Sequence, residues 1–348
     1  MATSSAKEVE VALLGGRYTR VPDTLAVGVG PRGSVAIKSV CLRLLSGEYQ
    51  VEQVQCLCGE TEERCIATID RYGIPHRTVM CARCALIRTN PRMTRESYEH
   101  FYAHYYRAIY ERAAHDPERY FATQLQTASQ RARHTLRRVN SCSRASVAEI
   151  GCGAGWNLLP YQERSWRAVG WDVDDTYLAL GRRHGLDLRH GFMLDACASG
   201  EKFDLVILSH VLEHLTDPIN ELIALRSILK PRGLLSIEVP SAFAVSDLCR
   251  YFQNAHTFSF VPQTLLAVME HAGYKRFELN SRIESLWFPT GARSPIPSDP
   301  KLVNATISAL LARVDGTRLL QHSLGIQQRA ERARETFMRW PRWSLGDV

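Results

Sequence analysis

The stretch VAEIGCGAGWN (147–157) decides how this chain is read. Val147 to Ile150 is an apolar run broken by one carboxylate, Glu149, and it leads into three glycines two apart, Gly151, Gly153 and Gly155. A short apolar run that ends in glycines reads as a strand entering a tight turn. If a helix follows, the turn points backbone N–H groups at a ligand. The spacing is not the dinucleotide fingerprint. G-x-G-x-x-G/A counted from Gly151 needs a small residue where Trp156 stands, and counted from Gly153 it fails again. An acid ahead of the glycines is also foreign to that fingerprint. Glu149 asks for a positively charged group on the ligand.

Working outward, AVGWDVDD (168–175) ends a second strand at Asp172, one helix length past the glycines. A carboxylate there can accept bonds from both hydroxyls of a ribose. Asp174 and Asp175 fit solvent-facing or helix-capping roles. In GFMLDA (191–196), Met193, Leu194 and Asp195 are candidates to hold an adenine through apolar walls and an acceptor, and the sequence does not choose among them. Strands are expected at 147–150, 167–171, 188–190, 205–209, 234–239 and 277–279, with helices between them such as 218–229 and 263–272. Strand–helix alternation implies an α/β fold, a parallel sheet with helices on both faces.

With FDLVILSHVLEHLTDP (203–218), the region from about 145 to 280 resembles class I S-adenosylmethionine (SAM)-dependent methyltransferases. VAEIGCGAG, VGWDVD and FDLVILSHVLEHL are similar to that family's successive motifs. LKPRGLLSIEVPS (229–241) and LLAVMEHAGYKRFEL (265–279) are similar to its later elements. The resemblance implies a Rossmann-like seven-stranded sheet with SAM across the strand ends. It implies cofactor contacts from Glu149, Gly151, Gly153, Gly155, Asp172, Leu194, Asp195 and Ser209, with Glu149 meeting the SAM amino group directly or through water. Upstream, CLCGE (56–60), RYGIPHRTVMCARCALIRTNPRM (71–93) and YEHFYAHYY (98–106) are similar to a zinc-binding extension found ahead of the methyltransferase domain in many bacterial enzymes. Some of those are sugar C-methyltransferases. Others act on lipopolysaccharide or natural-product intermediates.

The cysteines support a metal independently. There are ten, and Cys56, Cys58, Cys65, Cys81 and Cys84 cluster, while Cys41, Cys142, Cys152, Cys197 and Cys249 are scattered. In a reducing compartment clustering favours metal over disulfides. Cys81-x-x-Cys84 is half of a zinc site. The expected other half is Cys56-x-Cys58, where the similar extensions carry C-x-x-C, and Cys65 or His76 can substitute for one ligand. Four thiolates close a structural site with no open position. The plain alternative is a set of reduced, buried cysteines. Cys152, inside the glycine turn, has no paired base and reads as packing.

Methyl transfer is an in-line displacement that draws much of its rate from positioning. A general base is needed only where the acceptor must lose a proton. His210 and His214 follow the fourth strand and His256 follows the fifth, and a near-neutral imidazole suits proton abstraction. Packing, capping or a place beside the SAM methionine is the alternative for each.

Around this domain (141–290) the sequence divides into a β-rich extension (1–52), the cysteine knuckle (53–95) and a helical connector (96–140). A proline-rich linker with a basic helical tail (291–348) follows. Tyr98, Phe101, Tyr102, Tyr105 and Tyr106 recur at helical spacing, as a packing face or as a stacking surface. The tail carries Arg329, Arg332, Arg334, Arg339 and Arg342 beside Trp340 and Trp343. The 348 residues carry a net charge of +7. That excess suits an anionic small-molecule acceptor such as a nucleotide-sugar, and equally an ordinary surface. No nucleic-acid-binding pattern, leader or bilayer-spanning run is present, so a cytoplasmic enzyme is expected, with a homodimer as the assembly carried forward. Two other functions compete with a methyltransferase acting on a sugar, glycan or natural-product intermediate. One is a non-catalytic protein that keeps the SAM fold as a binding or scaffold module. The other is a NAD-dependent Rossmann enzyme, against which Trp156 counts.

Overall fold

The computed structural model describes residues 12–19, 27–110, 117–139, 145–244 and 248–323. The chain divides into two compact units, one within Met1–Tyr98, Val245–His256 and Ser298–Val348, the other Glu99–Ala244 with Thr257–Pro297.

The first unit opens with helix α1 (Pro31–Leu45). Residues 34–45 read as strand in the sequence because Val35, Ile37 and Val40 are β-branched. The buried positions are Gly33, Ala36, Ile37 and Val40, a three-to-four spacing that only a helix keeps on one face. Pro31 at the helix start supplies the preset φ of a first turn. Residues 31–45 of the expected β-rich extension are thus a helix, while residues 1–11 and 20–26 lie outside the described residues. Strand β1 (Val51–Glu52) follows, then β2 (Glu63–Ile69), β3 (Pro75–Cys81), β4 (Ile87–Thr89) and β5 (Arg92–Met93). β1 pairs with β5, and β2, β3 and β4 pair as an antiparallel meander. A buried charge cluster ties the meander together: Glu63 accepts from Arg77 at 2.6 Å, from Arg88 at 2.5 Å and from Asn90. The basic tail with its five arginines and two tryptophans lies outside the described residues, as does Cys142.

Helix α2 (Arg95–Phe101) runs across the boundary between the units. It passes into a π-helical turn, Tyr102–Tyr106, then α3 (Arg107–Tyr110), and α4 (Pro117–Leu136) follows further along the chain. The wider turn aligns Tyr102, Tyr106 and Tyr110 as a ladder with ring centroids 5.0 and 4.9 Å apart. These half-buried rings pack on one another and on buried Phe101.

The sheet of the second unit is built from β6 (Ser146–Ile150), α5 (Leu159–Gln162), β7 (Arg167–Asp172), α6 (Asp175–Arg183), β8 (Asp187–His190) and α7 (Met193–Ala198). It continues through β9 (Phe203–Ser209), α8 (Pro218–Leu225) and β10 (Leu229–Glu238). A short β11 (Phe258–Ser259) precedes α9 (Pro262–His271), β12 (Tyr274–Leu279) and β13 (Glu284–Pro289). The seven strands lie in the order β12-β13-β10-β9-β6-β7-β8. The sheet is mixed, not wholly parallel: β13 runs antiparallel to both β10 and β12. The chain folds back after β12 through Asn280–Ile283, with Ile283 at φ 60°, and slots β13 between β12 and β10.

Val147, Leu188, Leu205, Ile207 and Leu234 pack against Ala132, Leu158, Tyr161 and Leu178 on one face. The alternate residues Ala148, Val206, Leu208, Leu235 and Ile237 are fully buried as well. Both faces are therefore covered, which explains why the strands read as unbroken apolar runs. Register brings their C-terminal ends level: Ile150 opposite Trp171 and Leu208, and Ser209 opposite Glu238. The residues just past those positions share one edge of the sheet, where ligands of open α/β sheets bind.

Candidate functional site

The glycine turn stands at that edge. Gly151, Gly153 and Gly155 all adopt left-handed backbone, at φ 69°, 54° and 77°. A Cβ on Gly151 would sit 2.5 Å from a methyl of Val211, so the glycine is required there by contact as well as by conformation. The turn is pinned to β7: Gly151 N–H donates to the Trp171 carbonyl at 2.8 Å and Gly153 N–H to Asp172 Oδ2 at 2.8 Å. Cys152 is 1% exposed and burial pushes its thiol well above the usual range, so it packs and does not attack.

Glu149 is buried beneath the turn at 1% exposure. Asn157 donates to its Oε1 at 2.6 Å. Among the described residues, Glu149 Oε2 and Asn157 Oδ1 have no hydrogen-bond partner. Burial, above all, pushes the Glu149 carboxyl up to about 8; the Asn157 bond and Arg131 act against it, while Asp172 and Glu238 add to it. Two buried polar atoms without a partner, one on each of two bonded side chains, favour a cationic donor that satisfies them. Beside them is a small cavity of about 30 Å³ lined in part by Arg131, Asn157, Tyr161, Ser209 and Glu238. Neither Asn157 nor Arg131 was expected from the motifs. Asn157 is a lone polar residue at the start of an apolar helical stretch, which is a usable signal in hindsight, whereas Arg131 is one of several arginines on α4.

Asp172 accepts from Gly153 N–H through Oδ2 and from Asp174 N–H through Oδ1 at 2.9 Å. Its carboxyl is raised, chiefly by burial, against the pull of the Gly153 amide and Arg107. It secures the turn, and each oxygen retains capacity for a further bond. Asp174 caps α6, accepting from Thr176 and Tyr177 N–H, and pairs with Arg107, whose guanidinium lies 4.2 Å over the Tyr177 ring. Along the same edge three apolar side chains are exposed, Val173 at 37%, Phe192 at 54% and Leu194 at 51%. Leu194 was expected there; Val173 and Phe192 were not. Met193 is buried, whereas Leu194 is exposed. Asp195 Oδ2 accepts from Phe192 N–H at 2.8 Å and so closes the start of α7.

Past β9 and β10 the polar groups form a connected line. His210, in left-handed backbone at φ 57°, donates its N–H to the Glu238 carbonyl at 2.8 Å. Its Nδ1 lies 3.4 Å from Glu213 and its Nε2 3.7 Å from Glu238 Oε1. Glu238 also accepts from Arg131 at 2.5 Å and from Ser209 Oγ at 3.2 Å. His214 Nε2 is 3.9 Å from the same buried Glu213, and its Nδ1 meets the Tyr102 hydroxyl at 2.8 Å. Burial works to lower the His210 pKa, but Glu213 and then Glu238 outweigh it and the net direction is upward. His210, His214 and Ser209 are thus brought together. His256 belongs to the first unit, where its carbonyl accepts from Thr89 Oγ1 at 2.7 Å and its ring meets Gln253.

The first unit also gathers the cysteines. The sulfurs of Cys56, Cys58, Cys81 and Cys84 lie within 4.8 Å of one another, with Cys56–Cys84 at 3.5 Å and Cys58–Cys81 at 3.6 Å. Zinc bonds of 2.3 Å in a tetrahedron place sulfurs about 3.8 Å apart, so the set fits the ion. Arg83 N–H points at Cys81 Sγ at 3.4 Å. The substitutes considered from sequence face elsewhere: Cys65 Sγ points to the Ala67 carbonyl, and His76 Nε2 lies 3.3 Å from Thr89 Oγ1.

The chain is similar to proteins named as methyltransferases. The ubiquinone biosynthesis O-methyltransferase of Roseobacter denitrificans is 36% identical over 94 residues, covering 25% of this chain and 38% of that protein. The enzyme of the same name from Dinoroseobacter shibae is 30% identical over 145 residues, covering 36% and 58%. The chain therefore spans about two-fifths to three-fifths of the length of these relatives. A SAM-dependent methyltransferase structure from Archaeoglobus fulgidus is 20% identical at a TM-score of 0.40, over 56% of this chain and 93% of that one. A family model described as a methyltransferase domain matches residues 98–279, more than half of the chain. The protein belongs to that methyltransferase-domain family.

Proposed function

We propose that the protein is a class I methyltransferase that binds SAM at the glycine edge and methylates a small molecule. The observation that carries this reading is the buried Glu149 with its open Oε2, next to the open Oδ1 of Asn157. When bound there, SAM supplies a methyl group on a sulfonium and leaves as a neutral thioether. Glu149 and Asn157 hold the α-amino end, and Arg131, on the same cavity wall, holds the carboxylate. Asp172 takes the ribose hydroxyls. Val173, Phe192 and Leu194 flank the adenine, which covers apolar surface otherwise left in water. NAD fits poorly, since its pyrophosphate would meet the carboxyl of Glu149 beneath the turn. Titration calorimetry with S-adenosylhomocysteine and with NAD tests the assignment; heat from NAD alone refutes it.

Among carbon, oxygen and nitrogen acceptors, an oxygen is favoured. What supports it is the O-methyltransferase name of the relatives and the presence of a proton acceptor in place. His210 takes the acceptor's proton, Glu213 beside its Nδ1 and Glu238 beside its Nε2 stabilise the resulting imidazolium, and His214 with Tyr102 fixes Glu213. The cysteine set holds one structural zinc, with all four positions filled by thiolates and none left for catalysis. Among the described residues no helix is long and apolar enough to cross a membrane.

A further inference from the structure

We propose that the β3–β4 hairpin is the element that positions His256, with the cysteine cluster fixing its closed end and Thr89 gripping the His256 backbone at its open end.

The hairpin has chemistry at both ends. β3 begins beside His76 and ends at Cys81, five residues or roughly 17 Å of strand later. Cys81 and Cys84 flank the turn, and β4 returns so that Thr89 stands opposite Thr78. The open end therefore presents His76 and Thr89 together, while the closed end holds two of the four cluster sulfurs.

Thr89 Oγ1 gives its proton to the His256 carbonyl at 2.7 Å. A hydroxyl has one proton, so the 3.3 Å contact with His76 must be donated by His76 Nε2–H. Burial holds His76 neutral, its pKa pushed down to about 4, so this tautomer persists across the physiological range. His76 orients the Thr89 hydroxyl, and the hydroxyl holds His256.

The neighbouring turn reinforces the grip. Asp70 Oδ1 accepts from Tyr72 and Ile74 N–H at 2.8 and 2.9 Å, which shapes the β2–β3 turn, and its Oδ2 accepts from Asn254 N–H at 3.1 Å. Arg71 N–H donates to Phe252 O at 2.9 Å and its side chain to Arg250 O at 3.2 Å. Tyr98 OH donates to Asn254 O at 3.3 Å. Residues 250–256 make these bonds although the chain on either side, up to Ala244 and from Thr257, belongs to the other unit. That segment has no regular secondary structure of its own beyond the short turn at Leu248–Arg250, so these bonds add to the burial of Phe252, Asn254 and His256 in ordering it.

The test uses the full-length, metal-loaded protein. Hydrogen exchange and the histidine ring resonances are followed in Thr89→Val, in Thr89→Ser, and in wild type treated with 1,10-phenanthroline. Thr89→Val is expected to speed exchange over 250–256 by ~10-fold and to move the His256 ring signals, while metal content and S-adenosylhomocysteine affinity stay within about two-fold. Thr89→Ser, which keeps the hydroxyl, restores the wild-type pattern. Chelation reproduces the local exchange while β6 to β9 stay protected. Unchanged exchange over 250–256 in Thr89→Val, or exchange that spreads through β6–β9 on chelation, overturns the proposal. Failure of the wild type to bind S-adenosylhomocysteine would instead overturn the cofactor reading and leave the exchange result intact.

Discussion

Asn157 donates a 2.6 Å hydrogen bond to Glu149, and the pair still presents one unmatched oxygen from each side chain. Such an arrangement is unfavourable in an empty protein and becomes favourable with an ammonium group between them. It links the glycine turn, the cavity and the cofactor in one local geometry.

The pair has a consequence for stability. The Glu149 carboxyl is pushed up to about 8 in the folded chain from an ordinary 4.5. Between those values the folded state holds a proton that the unfolded state has released, so stability falls as pH rises. The ligand-free protein should lose melting temperature between pH 5 and pH 8. Glu149→Gln should flatten that slope, with its Tm advantage over wild type growing toward pH 8. Thermal melts across that range decide it, and parallel slopes would remove Glu149 as the cause.

Arg131 should discriminate ligands by their carboxylate. Arg131→Met is expected to weaken S-adenosylhomocysteine by about 1.5–3 kcal/mol, the range for a hydrogen bond to a charged group. It should leave 5′-methylthioadenosine, which lacks the amino-acid end, nearly unchanged. Equal loss for both ligands would mean that Arg131 shapes the site through Glu238 and does not touch the ligand.

Gly151→Ala places a methyl 2.5 Å from Val211 and forces left-handed backbone on alanine. Cofactor binding should fall at least ~10-fold, with a strain cost on the order of 1–3 kcal/mol. Gly28→Ala, at an exposed glycine with nothing within 4 Å of the new methyl, serves as the control. Calorimetry on both variants reads the difference.

Elemental analysis should find one zinc per chain in protein purified without added metal. Cys58→Ser should lose it and Cys65→Ser should keep it, because the Cys65 thiol faces the Ala67 carbonyl. Zinc retained in Cys58→Ser would exclude Cys58 as an essential ligand.

The parts of this account that were legible in the sequence share a cause. The glycine turn, Asp172 and the Cys81–Cys84 turn are local devices, in which neighbours along the chain do the work. Strand positions were legible because both sheet faces are buried, so each strand shows as an apolar run. Helix α1 was misread because its β-branched residues masked a helical period that burial makes plain. β13 was missed since ESLWFP follows β12 through a turn with neither proline nor glycine. Arg131, Asn157 and Glu238 meet only after α4, β6 and β10 are assembled, and no spacing encodes that. His256 was placed by strand order alone, whereas its bonds to Thr89 depend on a meander more than a hundred residues earlier.

The most direct test of the central claim is calorimetric titration of S-adenosylhomocysteine into the zinc-loaded protein at pH 7, repeated in buffers of differing ionisation enthalpy. With a carboxyl near 8, Glu149 is mostly protonated before binding, and an ammonium seated against it drives the proton off. The account predicts one ligand per chain and the release of close to one proton (~0.7–1) in wild type, with ~0 in Glu149→Gln. Absence of binding, or binding with the same proton count in both proteins, would contradict it.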